Sequence, residues 1–290
     1  MATQTPPLID VFTVPSRPVI RPQVPPPPPG GFTWAPTTAT LISGERDAVL
    51  VDTLVTVDDA NALADWVEAK GKRVTAIYVT HSHGDHYLGA PTLLARFPGA
   101  RLVATETVAG EIAAQLAGPE VAAYWAPMFD GRIALNQVAP ETLDGNVIDL
   151  EGHELRAVQV GQSDGEHSTY LHVPDASAVV TGDIAYNGVH MHLGFTDHTK
   201  RLAWIETLRD LAALGATTVI AAHQKPGSLN GPQCIDESIQ YIEDFDRLHT
   251  DDIPIDKFIA EMLALHGDRL NITTLYHVTY MLSGQYPGYF

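Results

Sequence analysis

Residues 80–89, with the sequence T-H-S-H-G-D-H-Y-L-G, constrain this chain most. They follow an apolar stretch, residues 74–79, that reads as a buried strand. Imidazole nitrogens together with carboxylate oxygens suit zinc and its first-row neighbours, whereas magnesium and calcium prefer oxygen ligands alone. The pattern predicts a transition-metal site at the end of a strand, formed by His81, His83, Asp85 and His86.

The spacing of these side chains supports a shared site. In an extended segment His81, His83 and Asp85 project to one side, and Gly84 lets the backbone turn so that His86 reaches the same place. Two adjacent metals could share such a loop. The alternative is a polar turn with surface histidines, of which the chain has 13 to scatter. Scatter rarely places three histidines within six residues, so the metal interpretation is preferred.

The composition of the chain limits the classes of partner that it is expected to bind. A chain of 290 residues with 45% apolar residues can form one large soluble domain or two small ones. Its 17 basic and 35 acidic residues give a net charge of -18, which disfavours nucleic acid and anionic membranes as partners. The single Cys234 cannot form an internal disulfide. Without a bilayer-length apolar run or a secretory signal core, the expected location is the cytoplasm.

The chain divides into three segments by composition. Residues 1–31 are proline-rich, which predicts an extended N-terminal arm. Residues 32–231 alternate short apolar runs with helical patterns, which predict a hairpin over residues 40–51, a strand over residues 101–104 and mainly antiparallel strands over residues 147–181. Residues 232–290 are helical, in segments of roughly 233–249, 254–266 and 272–283, and are expected to pack on the same domain. The arm and the C-terminal helices are candidates for contacts between identical subunits.

Further candidate ligands lie beside predicted strands in the second half. His167 precedes the strand 169–173, Asp183 follows the strand 178–181, and His223 follows the strand 218–222. Strand ends converge when strands pack into sheets, so these three side chains can meet the first four. Taken singly, each could be an ordinary turn residue.

This combination resembles the metallo-β-lactamase superfamily over about residues 38–225, because the H-x-H-x-D-H motif, a His before a strand, a Gly-Asp pair and a late His occur in order. The resemblance implies an α/β fold, an αβ/βα four-layer sandwich, here with a helical C-terminal tail. It implies two divalent metal ions, zinc first and iron or manganese as alternatives. By resemblance the first ion would bind His81, His83 and His167, the second Asp85, His86 and His223, with Asp183 between them.

The resemblance also implies hydrolysis, in which a hydroxide held between the metals attacks a carbonyl. Asp85 would orient the hydroxide and carry a proton to the leaving group. Tyr186, three residues after Asp183, resembles a tyrosine of the acyl-homoserine lactonases that hydrogen-bonds the substrate carbonyl. Phe129 and His190 are expected to line the substrate pocket. These features favour a lactonase or other esterase that acts on a small molecule.

Other functions stay open at this point. A β-lactamase is disfavoured by Asp183 and by the position of Cys234 outside the motif, and a glyoxalase II-like thioesterase by the acidic C-terminus. An iron-dependent oxygenase or a structural metal site would use the same scaffold. Seven ligands leave room for water at both metals, whereas a structural zinc is usually closed by four, which favours catalysis.

Overall fold

The computed structural model describes residues 5–20, 26–250 and 252–285. Two β-sheets face each other, and helices cover their outer faces. The strands are β1 (Leu8–Val14), β2 (Arg17–Pro18), β3 (Thr33–Trp34), β4 (Thr37–Ser43), β5 (Asp47–Val51), β6 (Arg73–Tyr78), β7 (Arg101–Ala104), β8 (Glu141–Thr142), β9 (Val147–Leu150), β10 (His153–Gln159), β11 (Thr169–Val173), β12 (Ala178–Val180) and β13 (Thr218–Ile220).

The helices lie between and after these strands. None of them within the described residues is long and apolar enough to cross a membrane. They are α1 (Val57–Glu68), α2 (Gly84–Tyr87), α3 (Ala90–Arg96), α4 (Glu106–Ala117), α5 (Ala126–Met128), α6 (His198–Ala213), α7 (Gln233–Leu248), α8 (Ile255–His266) and α9 (Ile272–Leu282).

The first sheet has the strand order β1-β4-β5-β6-β7-β8, and the second has the order β13-β12-β11-β10-β9. Pairing is parallel from β5 through β8 and between β12 and β13, and antiparallel in β1-β4-β5 and β9 through β12. The predicted hairpin of residues 40–51 and the predicted antiparallel strands of the second half are confirmed.

Three apolar clusters define the layers. Ile42 and Tyr78 of the first sheet share a core with Leu171 of the second, so this cluster fills the space between the sheets. Helices α1, α3 and α4 cover the first sheet, and helices α6 to α9 cover the second. The predicted four-layer αβ/βα sandwich is confirmed.

The N-terminal segment differs from the extended arm that its prolines suggest. Residues 8–14 form β1, which pairs with β4 along its whole length at the edge of the first sheet. Side chains alternate across this strand: Ile9 and Val11 face the core between the sheets, whereas Phe12 and Val14 face the helix-covered side. A period-2 pattern between prolines therefore makes the segment part of the sandwich. Residues 1–4 and 21–25 of the predicted arm lie outside the described residues.

Candidate metal centre

The loop that contains His81 and His83 follows the C-terminal end of β6, a central strand of the first sheet. An extended backbone runs to His83, and the short helix α2 begins at Gly84. A Cβ added to Gly84 would lie 2.5 Å from the Trp125 ring, so glycine is required by close packing as much as by a turn. Because the backbone turns helical here, His81 and His83 join one group of ligand atoms, and Asp85 joins another.

The first group combines two imidazoles and a carboxylate. His81 Nε2 lies 3.1 Å from His83 Nδ1, and Asp164 Oδ2 lies 2.9 Å from His83 Nδ1 and 3.6 Å from His81 Nε2. Donor atoms about 2.1 Å from a tetrahedral ion stand roughly 3.4 Å apart. These three atoms therefore have the mutual spacing of metal ligands.

The second group has a similar spacing. His223 Nε2 lies 3.1 Å from Asp85 Oδ2, and His86 Nε2 lies 3.6 Å from Asp85 Oδ1. Asp183 stands between the groups: its two oxygens lie 3.2 Å from His223 and 3.5 Å from His86, and it also belongs to the first group. Its neighbour Gly182 has φ +53° and leaves no space for a Cβ beside Thr80. We call these seven side chains the cage: His81, His83, Asp85, His86, Asp164, Asp183 and His223.

The structure departs from the prediction at His167. This side chain is 43% exposed, and its Nε2 lies 3.7 Å from Glu111 on α4. It lines a separate cavity of about 440 Å³ beside His81 and His83, and the fully buried Asp164 occupies the place expected for it. The turn between β10 and β11 carries Asp164 inward and His167 outward, and residue type alone did not reveal that direction.

Three cage histidines are oriented by their outer ring nitrogens. His86 Nδ1 donates to Asp52 at 2.8 Å, and His223 Nδ1 donates to the Pro36 carbonyl at 2.9 Å. Thr80 Oγ1 donates to Asp52 and lies 3.1 Å from His81 Nδ1, from which it accepts. Each of these bonds engages Nδ1 and leaves Nε2 facing the cage, which is the usual arrangement of histidine ligands.

The cage is electrostatically arranged to hold positive charge. Burial opposes ionisation of Asp183, but His223 and His86 hold the pKa of this carboxyl well below its ordinary value. Burial likewise lowers the pKa of His86, but Asp85, Asp52 and Asp183 raise it to about 9. Burial and His86 lower the pKa of His81 to about 4. Carboxylates therefore stay ionised in a buried place, which requires compensating cations.

Buried polar atoms without hydrogen bonds indicate whether a metal ion fits the cage. Within the described residues, Asp85 Oδ2, His86 Nε2, Asp164 Oδ2 and Asp183 Oδ1 are buried and form no hydrogen bond. Buried polar atoms without partners are costly, and here they converge on one another. Nitrogen and carboxylate donors in this number fit divalent transition-metal ions.

A small cavity of about 60 Å³ lies over the cage. One wall is aromatic, and the other is polar and comes largely from the residues around the start of α9. This volume admits a few water molecules or a small reacting group. The aromatic wall consists of Trp34, Tyr124 and Trp125, and the polar wall includes Tyr186, His190, His192, Asn271, Thr273, Thr274 and His277.

The predicted substrate residues have different positions. Tyr186 lines the cavity, and its hydroxyl donates to Asp183 Oδ2 at 2.8 Å. His190 also lines the cavity, with Nδ1 3.1 Å from the Tyr241 hydroxyl. Phe129 is buried behind the aromatic wall, with its ring centroid 5.4 Å from that of Trp34, and is not among the lining residues. It supports the wall and does not face the cavity.

Sequence reasoning missed several residues of the centre. The sequence G-Q-S-D-G indicates a turn that carries Asp164, which made this residue a possible ligand. Glu166 and His167 follow in the same turn and were equally possible. Asp52 follows β5 directly, and an aspartate at the end of a strand next to β6 is a recognisable candidate. The cavity-lining Trp34 carried no signal, because only the folded chain places it there.

The chain is similar in sequence to known proteins. The sequence model of the metallo-beta-lactamase superfamily matches residues 32–223. An atrochrysone carboxyl ACP thioesterase of Aspergillus chevalieri is 27% identical over 62% of this chain and 49% of its own length. A hydroxyacylglutathione hydrolase of Acidiphilium cryptum is 34% identical over 41% of this chain and 40% of its own length.

Solved structures show the same fold. A metallo-beta-lactamase from Pontibacter korlensis superposes with a TM-score of 0.59 at 15% identity, over 84% of this chain and 97% of that one. The chain spans about half the length of the curated relatives it matches. The superfamily match covers about two thirds of the chain. It contains all seven cage residues, of which His223 is the last residue matched. The chain therefore belongs to the metallo-beta-lactamase superfamily.

Proposed function

We propose that this chain is a metal-dependent hydrolase that cleaves a carboxylic ester, with a lactone as the first candidate substrate. The observation that carries the proposal is the convergence of unbonded carboxylate and imidazole atoms beneath a cavity with hydrogen-bond donors on its other wall. A structural metal site has no need of such a cavity. A small-molecule substrate also suits the charge of -18, which repels nucleic acid.

The cage residues would hold two divalent cations, one at each ligand group. When bound, such ions lower the pKa of water toward neutrality and polarise a carbonyl oxygen. Asp183, which belongs to the first group and lies 3.2 Å from His223 and 3.5 Å from His86 of the second, would be available as a ligand to either cation. Asp85 is the candidate proton carrier to the leaving group, because its second oxygen forms no hydrogen bond and faces the cavity wall beside His223.

Tyr186 is suited to donate a hydrogen bond. Burial and the neighbouring Asp183 raise the pKa of its phenol well above the ordinary value, so it keeps its proton and cannot serve as a base. Its hydroxyl now donates to Asp183, and a substrate oxygen nearby would compete for that proton. We assign it the stabilisation of charge developing on the carbonyl oxygen.

His190 is a second donor. The Tyr241 oxygen accepts a hydrogen bond from the backbone N–H of Met191, so its own proton is available to His190 Nδ1. The imidazole proton then lies on Nε2, which is buried and has no partner in the described part of the chain. Burial and the nearby Arg269 lower the pKa of His190 to about 3, so the ring stays neutral. We assign it a hydrogen bond to the substrate.

A thioester is the second candidate substrate, because two curated relatives are named as a thioesterase and a hydroxyacylglutathione hydrolase. Both reactions attack an acyl carbon and use the same cage. The aromatic wall of Trp34, Tyr124 and Trp125 suits the apolar part of either acyl group. The similarity to solved β-lactamases concerns the fold alone, so a β-lactam ranks below both.

A substrate panel tests the proposal. Protein reconstituted separately with zinc, manganese and iron is assayed against lactones, linear esters, acyl thioesters and a β-lactam, with metal content measured on the same samples. We expect hydrolysis of a lactone or ester to exceed that of the β-lactam, and chelation to abolish it.

The controls separate the alternatives. Thioesters hydrolysed faster than every lactone and ester would select the second candidate. Oxygen consumption without acyl hydrolysis would select an oxygenase. A protein that retains its metals and turns over no acyl compound would refute the hydrolase proposal.

A further inference from the structure

We propose that Asp164 is a ligand of the first metal in the position where a third histidine was expected, and that it shifts this site toward harder ions such as Mn²⁺ and Fe²⁺. This inference rests on the metal centre of the proposed function and concerns its ligand set and metal choice. His167 has no part in binding the metal.

The two oxygens of Asp164 have different environments. Oδ1 lies 3.1 Å from the Ser163 hydroxyl and 3.2 Å from that of Ser168, both of which can donate to it. Oδ2 has no hydrogen bond in the described structure and lies 2.9 Å from His83 Nδ1. The serines thus fix the carboxylate so that its second oxygen faces the imidazoles. A carboxylate ligand needs this arrangement: one oxygen anchored and the other available.

Charge supports the same assignment. Asp164 is fully buried, and its Oδ2 lies 2.9 Å from His83 Nδ1 and 3.6 Å from His81 Nε2. In the described structure no Lys or Arg forms an ion pair with it. An ionised carboxylate in a buried place is stable only beside a cation, and its open oxygen faces the two imidazoles of the first group.

The competing ligand is His167, three residues further on. Its ring is 43% exposed and approaches Glu111, and it belongs to neither ligand group. Glu111 in turn accepts a hydrogen bond from the Ser82 hydroxyl at 2.8 Å. His167 is therefore a residue of the wider neighbouring cavity, beside the centre but outside it.

Asp164 changes the chemistry of the first site. Two imidazoles and one carboxylate are a harder donor set than three imidazoles, and they bring one additional negative charge. With Asp183 between the sites, the cage contains four histidines and three aspartates. Carboxylate ligands favour manganese and iron relative to zinc, while imidazole suits zinc well. The expected difference is one of relative affinity between metals.

Three variants test this: Asp164→Ala, Asp164→His and the matched control His167→Ala. Metal-free protein is titrated with Zn²⁺ alone and with Mn²⁺ alone, and bound metal per chain is measured after dialysis. We expect His167→Ala to bind as the wild type does and Asp164→Ala to lose one ion per chain. Asp164→His should keep both zinc ions while its manganese affinity, relative to zinc, falls by about tenfold or more.

These measurements of bound metal test the ligand assignment and the metal preference without any measurement of turnover. Loss of an ion in His167→Ala but not in Asp164→Ala would overturn the ligand assignment. An unchanged manganese-to-zinc ratio in Asp164→His would overturn the metal preference, and this variant remains decisive if circular dichroism shows that the alanine variant does not fold. Wild-type protein that shows the expected metal pattern yet hydrolyses nothing would refute the proposed function and leave this inference standing.

Discussion

The cage and the opposite wall of the cavity both contain histidines, and the electrostatic surroundings of two cage histidines are opposite to those of His190. His86 and His223 lie among carboxylates, which raise the pKa of His86 to about 9 and that of His223 well above its ordinary value. His190 on the other wall lies near Arg269, and burial and this cation lower its pKa to about 3. The same side chain is thus placed to face a cation in one region and to stay neutral in the other.

This difference indicates that the histidines of the two regions have different roles. A histidine among carboxylates can exchange its proton for a metal, because the negative charge that favours the proton also favours a divalent ion. Beside His190 the guanidinium of Arg269 disfavours a metal ion, but the neutral imidazole can donate one N–H to an uncharged carbonyl. Variants of the two regions should therefore affect different measurements, metal content in the first and substrate use in the second.

The largest effect is expected for Asp183→Asn, in the cage. This change removes the negative charge next to both ligand groups, so metal content should fall and hydrolysis should decrease by more than about a hundredfold, the upper range for loss of an outer-shell partner. Metal analysis and turnover of one preparation test it. Asp175→Asn, which alters an Asp-His pair outside the cage, should change neither. Normal metal content and turnover in Asp183→Asn would contradict the assignment.

Asp52→Asn should have the next largest effect. Asp52 accepts from His86 and Thr80, and through Thr80 it orients His81. Loss of the carboxylate should weaken metal binding by about 10- to 100-fold with no change in the ligands themselves. Competition with a chelator measures this affinity. An unchanged affinity would mean that backbone packing alone orients these rings.

A smaller effect is expected on the opposite wall. His190→Phe keeps a ring but removes the N–H, and a hydrogen bond worth about 1 kcal/mol corresponds to a decrease of about fivefold to tenfold in kcat/KM. Metal content should stay constant. Tyr241→Phe, which removes the partner of Nδ1, should reproduce part of the loss. A fall in bound metal in His190→Phe would erase the distinction between the two regions.

A separate effect concerns how the free energy of unfolding depends on pH. Because the pKa of His190 is lowered to about 3 in the folded protein, from about 6.5 when unfolded, protonation favours unfolding. The stability that comes from keeping this ring neutral is present above pH 6.5 and is lost as the pH falls toward 3. The free energies of unfolding of wild type and His190→Gln, measured by urea at several pH values, should therefore shift relative to each other in favour of the variant below pH 6.5. A constant difference would contradict the burial of a neutral ring.

Local patterns predicted most of the sandwich. The strand Arg101–Ala104 has the predicted bounds, and the three C-terminal helices begin and end within a residue or two of their predicted limits. The edge strand Leu8–Val14 was missed, because prolines on both sides concealed a short alternating pattern. Periodicity can be recognised among neighbouring residues. The pairing of β1 with β4 joins residues more than 20 positions apart, so no local pattern reveals it.

The sequence alone predicted that four side chains in the six-residue stretch 81–86, after β6, would supply metal ligands, because their chemistry and spacing are local. The tertiary structure alone decided which residue of the turn between β10 and β11 enters the cage. Asp164 and His167 are both competent ligands three positions apart, and the backbone direction of the turn selects between them: Asp164 lies beside His83, and His167 lies beside Glu111. The same holds for the Asp52 carboxylate and for the aromatic wall, which only the assembled sheets bring to the metal centre.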